Sequence, residues 1–98
     1  MKYRAAIPPL VAERIRHLPP DVKRYIREAL REICSDPRCG VPLKRELQGY
    51  FKYAMRRYRI VFRVDRAAGT VYVLAAGHRR SIYEDVAEVI RGRKARGG

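Results

Sequence analysis

An α+β fold is what three features of these 98 residues predict. Two runs with helical spacing come early, two runs with strand alternation and one apolar on both faces follow, and one more helical run closes the chain. Helices and strands that cluster, rather than strictly alternate, point to a small antiparallel-rich sheet with an N-terminal helix hairpin and a C-terminal helix. The expected order is β-α-α-β-β-β-α, in one domain over residues 1–98.

Each element follows from its local pattern. "KYRAAI" (2–7) is short and β-compatible, and Pro8-Pro9 ends it. Val11, Ile15 and Leu18 recur at helical spacing from Leu10 onward. Pro19-Pro20 breaks that helix, and Asp21 is the expected N-cap of the next. Val22, Ile26, Leu30 and Ile33 form the apolar stripe of that second helix, which "SDPRCGVP" (35–42) stops. "YFKYAMR" (50–56) and "RYRIVFRVD" (57–65) alternate with a period of two, and their very short link predicts a hairpin. "RAAG" (66–69) is a turn with Gly69 free to take positive φ. "TVYVLAA" (70–76) is apolar on both faces, as an inner strand should be. A last helix begins near Ser81, with Tyr83, Val86, Ala87 and Ile90 along one side. Residues 91–98, "RGRKARGG", read as a basic flexible tail.

Composition narrows the class. Apolar residues make up 47% of the chain, which excludes a disordered basic tail. Lys and Arg number 23 against 10 Asp and Glu, a formal charge of +13. Such self-repulsion is relieved by an acidic partner, and nucleic acid, an anionic membrane surface or an acidic protein would all serve. Cys34 and Cys39 are too few for a disulfide framework. With His17 and His78 alone, no zinc-binding set assembles in one region. The N-terminus has no apolar signal-peptide core, and no apolar run approaches the ~20 residues that span a bilayer, so a cytoplasmic location is expected.

The period of two also sorts the charge. Phe51, Tyr53, Met55, Tyr58, Ile60, Phe62 and Val64 belong on a face buried beneath the helix hairpin. Lys52, Arg57, Arg59 and Arg63 belong on the opposite face, and Asp65 is the only acid between Leu47 and Ile82. A solvated sheet face usually mixes charges of both signs, because like charges directly opposite destabilise. Tyr50, Tyr72 and Tyr83 interleave with these cations, a combination suited to the phosphates and unpaired bases of single-stranded RNA.

"GHRRSIYE" (77–84) then ends the most apolar run with His78, Arg79, Arg80 and Tyr83. Cleavage of RNA by its own 2′-hydroxyl needs a base, cations for the charge on phosphorus, and an acid for the leaving 5′-oxygen. Lys52, Arg59, His78, Arg79, Arg80 and Tyr83 offer those groups without a metal. Each also has a plainer role open to it: His78 as a turn residue, the arginines solvated or paired with Glu84 and Asp85, Tyr83 as core.

These segments carry a family resemblance. "IPPLVAERIRHLPPDVKRYI", "PLKRELQGYFKYAMRRYRIVFRVD" and "GTVYVLAAGHRRSIYE" together resemble the RelE/ParE superfamily of type II toxin–antitoxin toxins, on its RelE-like branch. The resemblance implies cleavage of mRNA in the ribosomal A site, with a 2′,3′-cyclic phosphate left behind and with neither metal nor cofactor. It also implies inhibition by a cognate acidic antitoxin, bound in a hetero-oligomer. Residue by residue, Lys52 matches the family's first strand lysine, a general base or charge stabiliser. Arg59 matches the arginine that stabilises the transition-state phosphate, and Arg79 the one that binds phosphate or assists the leaving group. Tyr83 matches the tyrosine that stacks on or orients the nucleotide. Where some members carry a second lysine, this chain has Ala54, which leaves the general base open. The same superfamily includes ParE-like inhibitors of DNA gyrase that cleave nothing, and a non-catalytic nucleic-acid-binding module is the third reading.

Overall fold

The computed structural model describes residues 2–97, with side chains described for residues 2–91. Strands β1 (Arg4–Ala6), β2 (Val41–Pro42), β3 (Phe51–Met55), β4 (Tyr58–Asp65) and β5 (Thr70–His78) form one sheet in the order β1-β5-β4-β3-β2. Helices α1 (Pro9–Arg16) and α2 (Pro20–Ser35) precede the main strands, and α3 (Ile82–Gly97) follows them. The α+β class and the order of helices and main strands are those the sequence predicts. β1 runs parallel to β5, and the other pairings are antiparallel. The tail expected over 91–98 lies, past Arg91, outside the residues whose side chains are described.

Three local expectations change. The two-residue strand β2 falls inside the stretch read only as a helix stop. Its pairing with β3 follows a close approach at Gly40, where a Cβ would lie 2.6 Å from the Phe62 ring and 3.0 Å from the Phe51 Cβ. Asp21 does not cap α2: Pro19 is the N-cap, Pro20 opens the helix, and no side chain caps it. Proline fits there because the first helical N–H has no intrahelical partner, and Asp21 sits in the first turn, where an anion suits the helix dipole. Arg57 lies in the β3–β4 turn and not on a strand. Met55 pairs with Tyr58, so Arg56 and Arg57 form a two-residue loop, and Arg56 takes the left-handed φ of 57°.

Register fixes the faces. Phe51, Tyr53 and Met55 pair with Phe62, Ile60 and Tyr58, and β5 adds Val71, Val73, Ala76 and His78 on the same side. α2 covers this face with Val22, Ile26, Ala29 and Ile33, all buried. Ile60 and Phe62 are completely enclosed, and each such side chain contributes ~1.5–3 kcal/mol of burial. Leu74 is the extra residue of a bulge in β5, because Val61 pairs with Ala75 and Phe62 with Val73.

The second face carries Lys52, Arg59 and Arg63, as expected, together with Val61, Tyr72, Ala75 and Gly77. It is not the open cationic surface that alternation suggested. Val61 and Ala75, at its centre, are 0% and 3% exposed. α3 lies over it: a Cβ at Gly77 would point to this face and meet Asp85 Oδ2 at 3.4 Å. The reason is symmetrical with the first face. Ile82, Val86 and Val89 of α3 need apolar cover, and Val61 and Ala75 provide it.

Candidate active site

One end of the sheet gathers the residues of interest. The β3–β4 turn ends there, β5 ends there, and α3 begins there. Arg79 N–H donates to the Arg57 carbonyl at 2.7 Å, which ties the two turns together one step past the β4–β5 ladder. Arg57, Arg59, Arg79 and Arg80 are thereby brought to one end of the sheet from two separate segments of the chain, whereas the Arg56 side chain turns to the first face, over Tyr25 of α2.

Arg59 is half-buried on β4, directly opposite Ala54. Its guanidinium NH1 donates to the Arg56 carbonyl at 2.9 Å and the Tyr58 carbonyl at 2.7 Å. These contacts hold the side chain against the turn with backbone acceptors, so its charge is positioned but not neutralised. Lys52 is half-buried on β3 and diagonal to Arg59, a relation that spans ~7–8 Å. A lysine at position 54 would stand directly opposite Arg59 and repel it. Ala54 removes that conflict.

Arg57, Arg79 and Arg80 are exposed, and among the described residues none of them, nor Arg59, forms an ion pair. Arg63 shares the face of Lys52 and Arg59 but stands four residues farther along β4, ~13 Å from Arg59. It stacks on Tyr72, with its guanidinium carbon 4.1 Å from the ring centroid. Val61, buried under α3, separates it from Arg59, so the structure does not join Arg63 to the arginine cluster.

His78 pairs with Tyr58, which places it on the opposite face from Arg59. Its ring meets Tyr58 edge to face at 5.6 Å, and its Nδ1 accepts from the Arg80 N–H at 3.1 Å. That bond and the Ser81 N–H on the His78 carbonyl, at 3.0 Å, shape the turn into α3. His78 thus has a turn-forming role. Tyr83 is not core: it is 48% exposed in the first turn of α3. With Glu46, Leu47, Val86, Ala87, Ile90 and Arg91 it lines a cleft of about 290 Å³.

Sequence reasoning missed two contributors. Arg56 sits over the Tyr25 ring at 4.9 Å and supplies a carbonyl to Arg59; the signal was an Arg-Arg pair between two alternating runs. Asp85 and its partner Arg14 carry no local signal at all, since they meet only through a side-chain contact between α1 and α3.

Comparisons with known proteins agree with this architecture. A model of the ParE toxin of type II toxin–antitoxin systems matches residues 9–83. Toxin RelG of Mycobacterium tuberculosis is 38% identical over 68 residues, which are 67% of this chain and 78% of RelG. The toxin–antitoxin complex RelBE2 of the same organism contains a chain 31% identical, with TM-score 0.73 over 81% of this chain and all of that one. A free mutant of the E. coli toxin RelE superposes with TM-score 0.76 over 93% of this chain and 97% of its own, at 22% identity, a likeness of fold. With the family match over most of its length and the sheet-and-helix frame those toxins share, this chain belongs to the ParE toxin family of type II toxin–antitoxin systems, within the RelE/ParE superfamily.

Proposed function

We propose that the chain is a ribosome-dependent mRNA endonuclease that arrests translation until an acidic antitoxin covers it. The observation that carries this reading is the gathering at one sheet end of arginines without ion-pair partners among the described residues, with Lys52 on the face of Arg59 and Tyr83 exposed four residues after Arg79. In the reaction, the 2′-oxygen of a ribose attacks the adjacent phosphorus, its proton passes to a base, and the bond to the 5′-oxygen breaks as that oxygen takes a proton. The products are a 2′,3′-cyclic phosphate and a 5′-hydroxyl.

Arg59 and Arg79 are assigned to the phosphoryl oxygens, where preorganised cations act on the charge that grows in the transition state. Lys52 stands diagonal to Arg59, where it serves as base or as a further charge stabiliser. Tyr83 stacks on or orients the nucleotide, and Arg57 and Arg80 track the neighbouring phosphates. His78, turned to the other face, is assigned to shaping the turn and not to proton transfer. The structure of a 31% identical toxin solved with its antitoxin supports a hetero-oligomeric partner, and the charge of +13 supports an acidic one. Among the described residues no helix is long and apolar enough to cross a membrane, in keeping with a cytoplasmic site of action.

The test is end-mapping of mRNA on programmed ribosomes, where purified protein should leave new 5′-hydroxyl ends in the A-site codon. The family match to ParE toxins favours one second reading, inhibition of DNA gyrase without RNA cleavage. Intact mRNA together with trapped gyrase–DNA complexes would select it.

A further inference from the structure

The first turn of α3 carries Tyr83 and follows directly on Arg79, Arg80 and Ser81. Ile82 and Val86 bury this part of α3 against the sheet, and its ion pair comes from the far end of the sequence. Arg14, in the last turn of α1, lies 3.4 Å from Asp85 and donates to Glu88 at 2.7 Å. Asp85 and Glu88 are three residues apart on α3, so one guanidinium engages both. Asp85 also abuts the strand end, with Oδ2 only 3.4 Å from where a Gly77 Cβ would sit. Its backbone N–H donates to the Ser81 carbonyl at 3.1 Å, so it closes the turn that follows the arginines.

Positions 83 and 85 are ~200° apart around a helix of 3.6 residues per turn. When Asp85 faces Arg14 and Gly77, Tyr83 must face outward, and it is 48% exposed. We propose that Asp85, held by Arg14, is a positioning residue that sets the rotation of α3 and hence the place of Tyr83 beside the arginine cluster. The proposal rests on Tyr83 contacting substrate, as read above. Burial pushes the Asp85 carboxyl up while Arg14 pulls it down, so the pair sits where solvent only partly screens it. Removing Arg14 leaves Asp85 and Glu88 side by side without a cation, and removing Asp85 leaves Arg14 bound to Glu88 alone.

The test compares Asp85→Asn, Arg14→Gln and the double variant Arg14→Gln/Asp85→Asn with the unaltered protein. Amide exchange needs no catalytic activity. Each single variant should speed exchange over residues 82–89 by about tenfold while β4 and β5 stay protected. In cleavage of ribosome-bound mRNA, kcat should fall by about tenfold to a hundredfold, the cost of an ångström-scale misplacement, with KM within about twofold. The double variant should lose less than the two single losses combined, because the two charges act on each other. If a neutral variant fails to fold, Arg14→Lys keeps the charge without the planar fork and should give a smaller loss of the same kind. Unchanged exchange in α3, or a raised KM at constant kcat, overturns the proposal. If the unaltered protein cleaves no mRNA, the endonuclease reading fails, and the exchange measurements alone decide whether Asp85 holds α3.

Discussion

The two ends of the sheet are both rich in cations, and they use them differently. At the end away from the site, Arg38 is bound by Asp36 through its backbone N–H at 3.1 Å and its Nε at 2.9 Å. Arg66 lies 3.4 Å from the Tyr3 hydroxyl, and Arg63 is stacked on Tyr72. At the site end, Arg59 is held by carbonyls and Arg79 by a backbone hydrogen bond to a carbonyl, with no carboxylate in reach of either among the described residues. A net charge of +13 therefore does not locate the function. What sets the candidate site apart is that cations from two chain segments meet there and that Arg59 is fixed by carbonyls, which hold a guanidinium without neutralising its field for an incoming phosphate.

The largest expected effect separates the ends directly. Arg59→Ala and Arg79→Ala should each lower the single-turnover cleavage rate by ~10²–10³-fold, as loss of a transition-state donor does. Arg38→Ala and Arg66→Ala should leave it within about twofold, the size of a surface electrostatic change. Equal losses at both ends would erase the distinction. Circular dichroism of each variant checks that the fold is intact.

A second prediction concerns the frame that the two ends share. Gly40→Val should destabilise the protein by ~1–3 kcal/mol through overpacking on Phe62 and Phe51, read from urea denaturation. Cleavage per folded molecule should stay normal. A stable Gly40→Val protein would mean that β2 can move away without cost.

The smallest effect sharpens the comparison through pH. Arg38 holds the Asp36 carboxyl below its ordinary value of 3.8, so this group adds stability above that value and loses it as pH falls through the lowered pKa. Asp85 is pushed above 3.8 by burial, so its contribution is fully present below that value and is lost as pH rises through the raised pKa. The stability difference between unaltered protein and Asp36→Asn should therefore shrink with acid. Measured against Asp85→Asn, the unaltered protein should instead lose stability as pH rises. Melting temperatures from pH 3 to pH 7 measure both, and parallel trends would contradict the assignment.

Much of this was legible in the chain. Alternation at Phe51–Met55 and Tyr58–Asp65 is a local property, and it gave the hairpin and the face of nearly every residue. Arg57 was misplaced because alternation cannot see that Arg56 and Arg57 are the turn itself. β2 was missed because two residues carry no period. The site was half legible. Lys52 and Arg59 do share a face, and Arg79 does stand at the strand end. The register that turns His78 away, and the buried Val61 that sets Arg63 apart, are relations between strands.

The sequence by itself determined the order of the helices and main strands, the apolar faces and the excess of positive charge, since each depends only on residue type and spacing along the chain. Tertiary structure decided that α3 roofs the second face and that Arg79 is tied to Arg57. It also decided that Arg14 reaches Glu88, 74 residues away. Which cations are neutralised and which remain free is settled by distances of a few ångströms between segments remote in sequence, and Coulomb energy depends on those distances, not on composition.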